Sequence, residues 1–344
     1  MTEVQGTALW LAGPRQVEHR PATFDAPQFH QLQIRTVFSA LSHGTERLAF
    51  RGEIDPALPL DLPSFKGSFG FPLKYGYACT GIVEAIGSDV HHLQPGDRVF
   101  ALHPHQDLFA IDDAYVIQLP DSVPLDLGVF FAQIETAVNV LLDAAPRIQE
   151  TVVVFGQGVV GLLITSLLAR MNLAQIIAVD PVLPRRVLAQ RMGATHRLAP
   201  TPELPDTVHS LTEGRGADLV IEVSGVPLAL NQAIDCAAIE GTVVIASWYG
   251  TRPVTLQLGS AFHRRRLRLI SSQVGMVQPS LGPRWDRQRR SEAARAMLAQ
   301  LDLGSLITHR VPFRTAQDAY ALLDAPPDDL VQVILTYDDQ PCTK

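Results

Sequence analysis

Two stretches of this chain combine residue types and spacings that could do chemistry. The first is VVVFGQGVVGLLITSLLARMNLAQIIAVD. A β-rich run ends at Phe155, Gly156, Gly158 and Gly161 make G-x-G-x-x-G, and an apolar helix-forming segment follows. The first glycine allows a tight turn, the second lets backbone reach a pyrophosphate, and the third lets helix and strand approach. The amides at the helix start, those of Val159 and Val160, then face the phosphate charge. Asp180 stands 19 residues past Gly161, at the end of IIAVD. A carboxylate there accepts from the adenosine ribose hydroxyls and repels a 2′-phosphate, which favours NAD(H). Arg185 and Arg186 follow closely, and one could reach a 2′-phosphate, so NADP(H) stays open.

The second stretch is KYGYACTGIVEAIG, Lys74 to Gly87. Its latter half reads as a strand punctuated by glycines. Tyr77 lies at the mouth of that strand, where a phenol is core filler, a buried hydrogen-bonder or a proton donor; residue type leaves all three open. His103 and His105 form an H-x-H pair in ALHPHQD, and without a third partner the pair reads as hydrogen-bonded rather than metal-ligating. Cys79, Cys236 and Cys342 are far apart and odd in number, so they form neither a disulfide framework nor a local zinc site, which points to a reducing compartment.

The elements that must position these groups fall into two regimes. From Gly6 to about Pro124, short apolar runs (QLQIRTVFSAL, TGIVEAIG, DRVFAL, AYVIQL) between Gly, Pro, Asp and His clusters predict a mostly β domain, residues 1–124. Within it PALPLDLPSFKGSFGFP, with Phe65, Phe69 and Phe71, is either a self-packed loop or a hydrophobic lid over a substrate. From Leu125 the period lengthens: LDLGVFFAQIETAVNVLLDAA is helical, and ETVVVFG, IIAVD, ADLVIEVSG and GTVVIAS are continuous apolar strands alternating with helices. That pattern predicts an α/β unit, a doubly wound parallel sheet over residues 125–275, followed by a C-terminal segment, 276–344. Trp248 and Tyr249 fall at the carboxyl end of one of its strands.

With 344 residues, a formal charge of −7 and one dense basic run, HRRRLR, flanked by apolar residues, the chain is no candidate for nucleic-acid binding. No stretch carries about 18 uncharged apolar residues or a signal-peptide pattern, so neither a membrane partner nor export is expected, and a cytoplasmic location is.

With these parts in place, the chain resembles the medium-chain dehydrogenase/reductase superfamily of alcohol dehydrogenase-like enzymes over essentially its whole length. The landmarks are GIVEAIGSDVHHLQPGDRV, the Thr136-Ala137 pair, VFGQGVVG, RMGA at Arg191 to Ala194 and DLVIEVSG, which contains Ser224. The resemblance implies a GroES-like β domain carrying the substrate, a Rossmann domain holding the cofactor with help from Thr136 and Ser224, and a C-terminus that returns to the first domain. It also implies a dimer or tetramer formed through Rossmann edge strands, and with the edge offered by GTVVIAS and LRLISSQVG a homodimer is expected. The zinc motifs of the superfamily are replaced: SHGTE puts His43 where a ligand cysteine would be, Gly76-Tyr77-Ala78 stands in place of Gly-His-Glu, and Phe131 and Ala132 stand where a third ligand commonly lies. No zinc is therefore expected, since one possible ligand is not a site. The SHGTE turn with a lost metal site is similar to the branch that includes bacteriochlorophyllide a dehydrogenase.

The resemblance places Tyr77, His43 and Thr45 nearest the reacting oxygen. Tyr77 or His43 would donate the proton, Thr45 would relay it, and Glu46 would support the turn. It implies interconversion of a bulky, partly apolar secondary alcohol and its ketone. Two alternatives stand beside it: an NADPH-dependent enoyl or quinone reductase, and a nucleotide-binding relative without catalysis.

Overall fold

The computed structural model describes residues 3–60, 62 and 64–337; Cys342 lies outside them. Strands β1 (Glu3–Gly13), β2 (Gln16–Asp25), β3 (Gln31–Ala40), β4 (Cys79–Ile86), β5 (Arg98–Ala101), β6 (Leu108–Asp112) and β7 (Val116–Gln118) come first. Next are β8 (Thr151–Phe155), β9 (Gln175–Val179), β10 (His196–Leu198), β11 (Ala217–Glu222), β12 (Ala237–Ile245) and β13 (Arg268–Ser271), and last β14 (Ile307–Pro312) and β15 (Gln332–Thr336).

The described chain divides into two compact units. One runs up to Ala132 and resumes at Leu298; the other spans Gln133–Met297. The first division lies inside the helix Phe131–Ala144, beyond the expected 124/125, because the Phe131 ring packs on Phe100 of β5 with centroids 4.9 Å apart. The second lies at the end of the helix Arg287–Leu298, beyond the expected 275/276.

The second unit is a six-stranded sheet in the order β10-β9-β8-β11-β12-β13, parallel throughout. Its central strands are continuous in apolar residues because helices cover both faces; all five residues of β8 are buried. The short strand β10, only HRL, is too brief and too polar to announce itself in the sequence. β13 ends the sheet and leaves an edge.

In the first unit, β14-β15-β3-β4-β5-β7 form one sheet, with β6 also paired to β3, and β1 and β2 make a separate hairpin. The pairing is antiparallel except between β14 and β15, so the fold is a mixed, mostly antiparallel β unit completed by the C-terminal strands. Phe65 and Phe69 of the Pro-rich loop are buried, their rings 5.6 and 5.3 Å from that of Tyr75, so they belong to the unit's own core. Among the described residues one helical stretch, Leu125–Ala144, is long and apolar enough by composition to cross a membrane. It carries Asp126, Glu135 and Asp143, and 61% of its apolar window is buried in the fold, which accounts for its apolarity.

Candidate functional site

In the Gln133–Met297 unit the glycine motif is a turn at the carboxyl end of β8. Gly156 has φ +90°, and a Cβ there would meet the Ser224 backbone within 2.7 Å. On Gly161 a Cβ would collide with the Gly156 carbonyl, so helix and strand touch only because neither residue has a side chain. Gly158 is different: the direction of its missing Cβ meets nothing within 4 Å. It caps the helix Val159–Leu168, whose first amides receive no side-chain cap. Bare amides at a helix start beside open space are where a pyrophosphate is held.

Asp180, just past β9, is folded onto this turn. Its Oδ2 accepts from the Gln157 amide at 2.7 Å and its Oδ1 from the Val182 amide at 2.8 Å. Each oxygen keeps a lone pair, so the carboxylate can still accept from ribose hydroxyls. Arg186 is turned away from that task, donating to the Asp180 and Pro181 carbonyls, while Arg185 lies half-buried on the helix Leu183–Arg191. Ser224 is held by Glu222, whose Oε1 accepts from its amide at 2.7 Å and its hydroxyl at 2.5 Å. Glu222 Oε2 accepts from the Tyr249 hydroxyl at 2.6 Å, and burial, then the Glu222 charge, hold that phenol well above its usual pKa. Gly156, Gly158, Val159, Val160, Gly161, Asp180 and Ser224 therefore converge, and these residues fit a dinucleotide. Thr136 is half-buried on the helix Phe131–Ala144. There Arg290 braces Glu135 and Asn139, a tie that no local pattern in the sequence suggested. Trp248 is 41% exposed and Trp285 lies under the Arg289 guanidinium, 4.4 Å away.

In the other unit the SHGTE and GYA turns meet. The Tyr77 hydroxyl donates to Ser42 Oγ at 2.5 Å. Burial pushes the phenol up to about 12, against hydrogen bonds with Ser42 and Thr45 that pull it down. Thr45 opens the helix Thr45–Arg51, and His43 is half-buried in the turn just before it. Glu46 is fully buried and its Oε1 accepts from the Ser42 amide at 2.7 Å. The sequence singled out Tyr77, His43, Thr45 and Glu46 but not Ser42, the residue that Tyr77 touches.

A catalytic zinc does not fit these residues. At the position where the resemblance puts a third ligand stand Phe131 and Ala132, neither with a side-chain donor. His103 is stacked on Phe109 at 3.6 Å with Nδ1 at the Pro104 carbonyl, and burial lowers its pKa to about 3. His105 is engaged on both nitrogens, by Ser39 and by Glu46. Among the described residues no group of three or more His, Cys, Asp or Glu side chains is placed to hold a metal. The two described cysteines, Cys79 and Cys236, are buried thiols that burial keeps protonated.

The chain is 26% identical to D-guloside 3-dehydrogenase of Escherichia coli over 326 residues, covering 90% of this chain and 93% of that enzyme. The family profile "Zinc-binding dehydrogenase" matches residues 159–286. These matches support the resemblance to the medium-chain dehydrogenase/reductase superfamily. Galactitol 1-phosphate 5-dehydrogenase of Escherichia coli is a further superfamily relative, 25% identical over 75% of this chain and 84% of its own. Among solved structures, an Escherichia coli oxidoreductase of unknown specificity superposes with a TM-score of 0.81 over 98% of this chain and all of its own, at 18% identity. A Sinorhizobium meliloti zinc-binding dehydrogenase bound to NADP (TM-score 0.77, 20% identity, 97% and 100% coverage) shares the fold. So does an Escherichia coli alcohol dehydrogenase complexed with NADH (0.79, 17%, 97% and 99%). The superfamily supports an oxidoreductase with a nicotinamide cofactor. The profile match lies within the Gln133–Met297 unit and does not reach His43 or Tyr77, so it leaves the metal question to the residues themselves.

Proposed function

We propose that this protein is a zinc-independent, NAD(H)-linked oxidoreductase that interconverts a bulky secondary alcohol and its ketone, with Tyr77 as proton donor. The observation that carries the reading is Tyr77 itself. It is a phenol held protonated, with Ser42 and Thr45 hydroxyls against it, at the position where the resemblance puts a metal ligand, and no group of metal-ligating side chains stands there among the described residues. A nicotinamide cofactor, when bound, would supply or accept the hydride. Tyr77 gives its proton to the carbonyl oxygen as that oxygen takes up the electron pair of the C=O bond, Thr45 relays a proton from solvent back to the Tyr77 phenolate, and His43 is the alternative donor in the SHGTE turn. Asp180 sets the preference for NAD(H) through the ribose hydroxyls, and Gly158 with the Val159 and Val160 amides takes the pyrophosphate. The names of the relatives, dehydrogenases of a guloside and of a sugar-alcohol phosphate, favour a carbinol over an enone or quinone. The free edge at β13 suits pairing of two copies, which light scattering checks.

The test joins elemental analysis, titration with NADH and NADPH, and a panel of secondary alcohols, ketones, enones and quinones read by cofactor absorbance. No zinc, tighter NADH than NADPH, and turnover of alcohols or ketones support the proposal. Zinc near one per chain removes the metal-free reading. Turnover confined to enones or quinones replaces the reaction, and inactivity with tight cofactor binding replaces the enzyme with a nucleotide-binding protein.

A further inference from the structure

Ser39, Glu46, His105 and Tyr320 form a polar cluster with no exposed surface, and the reaction proposed above uses none of them directly. Burying a carboxylate and an imidazole is costly unless hydrogen bonds replace the lost water, and here they do. Glu46 Oε2 accepts from His105 Nε2 and from the Tyr320 hydroxyl, each at 2.9 Å. On the far side of the imidazole, Nδ1 meets Ser39 Oγ at 2.7 Å, and Ser39 Oγ also meets the Tyr337 hydroxyl at 2.9 Å.

The cluster reaches Tyr77 from two sides. Glu46 Oε1 holds the amide of Ser42, whose Oγ is the acceptor of the Tyr77 hydroxyl. Gly76, the residue before Tyr77, has φ +109° and lies against the His105 ring so closely that a Cβ there would come within 2.5–2.9 Å of three ring atoms. His105 is thus the floor under the tyrosine's turn, and Glu46 sets the tyrosine's hydrogen-bond acceptor.

We propose that Glu46 and His105 are positioning residues for Tyr77, a deepening that rests on Tyr77 being the proton donor. The single Glu46–His105 hydrogen bond joins the two supports, so the phenol and its acceptor are held in one frame. A displacement of about 1 Å at a reacting group can cost about 10²-fold in rate, and a rigid frame prevents it.

The experiment is NMR of the full chain carrying [13Cζ]tyrosine, in which Tyr77→Phe assigns one of the six tyrosine resonances. His105→Gln is the main variant. Ser39→Ala is the milder one, touching the imidazole but not the turn, and it decides alone if His105→Gln does not fold. The expected result is that the Tyr77 resonance moves toward that of exposed Tyr115 in His105→Gln, and by a smaller step in Ser39→Ala, while NADH affinity stays at the wild-type value. On the best substrate from the panel, His105→Gln lowers kcat about tenfold with KM unchanged and has no further effect on a Tyr77→Phe background, as expected for residues acting as one unit. A Tyr77 resonance at its wild-type place in folded His105→Gln and in Ser39→Ala overturns the proposal, as does a rate loss that multiplies with that of Tyr77→Phe. If instead Tyr77→Phe turns over at the wild-type rate, the proton-donor reading falls and the positioning role in catalysis falls with it.

Discussion

Tyr77 shows what one side chain can contribute when its surroundings set its protonation. With its pKa raised to about 12 by burial, the phenol carries its proton throughout the neutral range. It is a ready acid for ketone reduction and a poor base for alcohol oxidation. The reduction rate governed by Tyr77 should therefore stay flat from neutral pH to about pH 11, whereas the oxidation rate should climb about tenfold per pH unit over the same range. Profiles of kcat/KM against pH in both directions check this, and a falling reduction rate above pH 8 would assign the proton to another group. Tyr77→Phe should cut turnover by about 10² or more with NADH affinity unchanged. Equal turnover in wild type and variant would leave Tyr77 as packing.

At the scale of the element, the glycine turn separates two roles that the motif presents together. Gly158 faces open space, so Gly158→Val should leave the melting temperature near that of wild type and weaken NADH about tenfold or more by occupying the pyrophosphate's place. Gly161→Ala puts a methyl against the Gly156 carbonyl and should lower the melting temperature before cofactor is added. Thermal scans with and without NADH distinguish the two. The opposite ranking would mean that the turn relaxes in a way its close contacts do not suggest. The SHGTE turn works differently, since the helix Thr45–Arg51 has no side-chain cap at its start and instead Glu46 reaches back to the Ser42 amide.

For the whole molecule, His103 ties stability to pH. Burial lowers its folded pKa to about 3 from the ordinary 6.5, so the unfolded chain binds a proton that the native chain refuses. Its neutral form contributes fully above pH 6.5, and that contribution is lost progressively as pH falls from there toward 3, at up to ~1.4 kcal/mol per pH unit. Denaturant titrations between pH 4 and 7 should show a slope smaller by about one proton in His103→Phe than in wild type. Much of the molecule was legible along the chain. The alternation of apolar strands and helices, the three glycines and Asp180 follow from short-range steric and hydrophobic rules that act within a few residues, and the parallel sheet and its phosphate turn match them. The β1–β2 hairpin was not singled out, because its half-exposed second strand mixes charges with Pro21. The sequence also put Tyr77 at the mouth of a strand, and His43, Tyr77, Phe131 and Ala132 at the positions where the resemblance expects metal ligands. It did not show that His105 turns inward to Glu46, 59 residues earlier, or that Tyr249 closes on Glu222, because those hydrogen bonds are chosen when distant strands pack and each buried polar atom must find a partner. Local spacing determined the glycine turn, and only the tertiary fold decided that the Ser42 hydroxyl stands at Tyr77 and the His105 imidazole against Gly76, because those contacts join segments far apart in the chain.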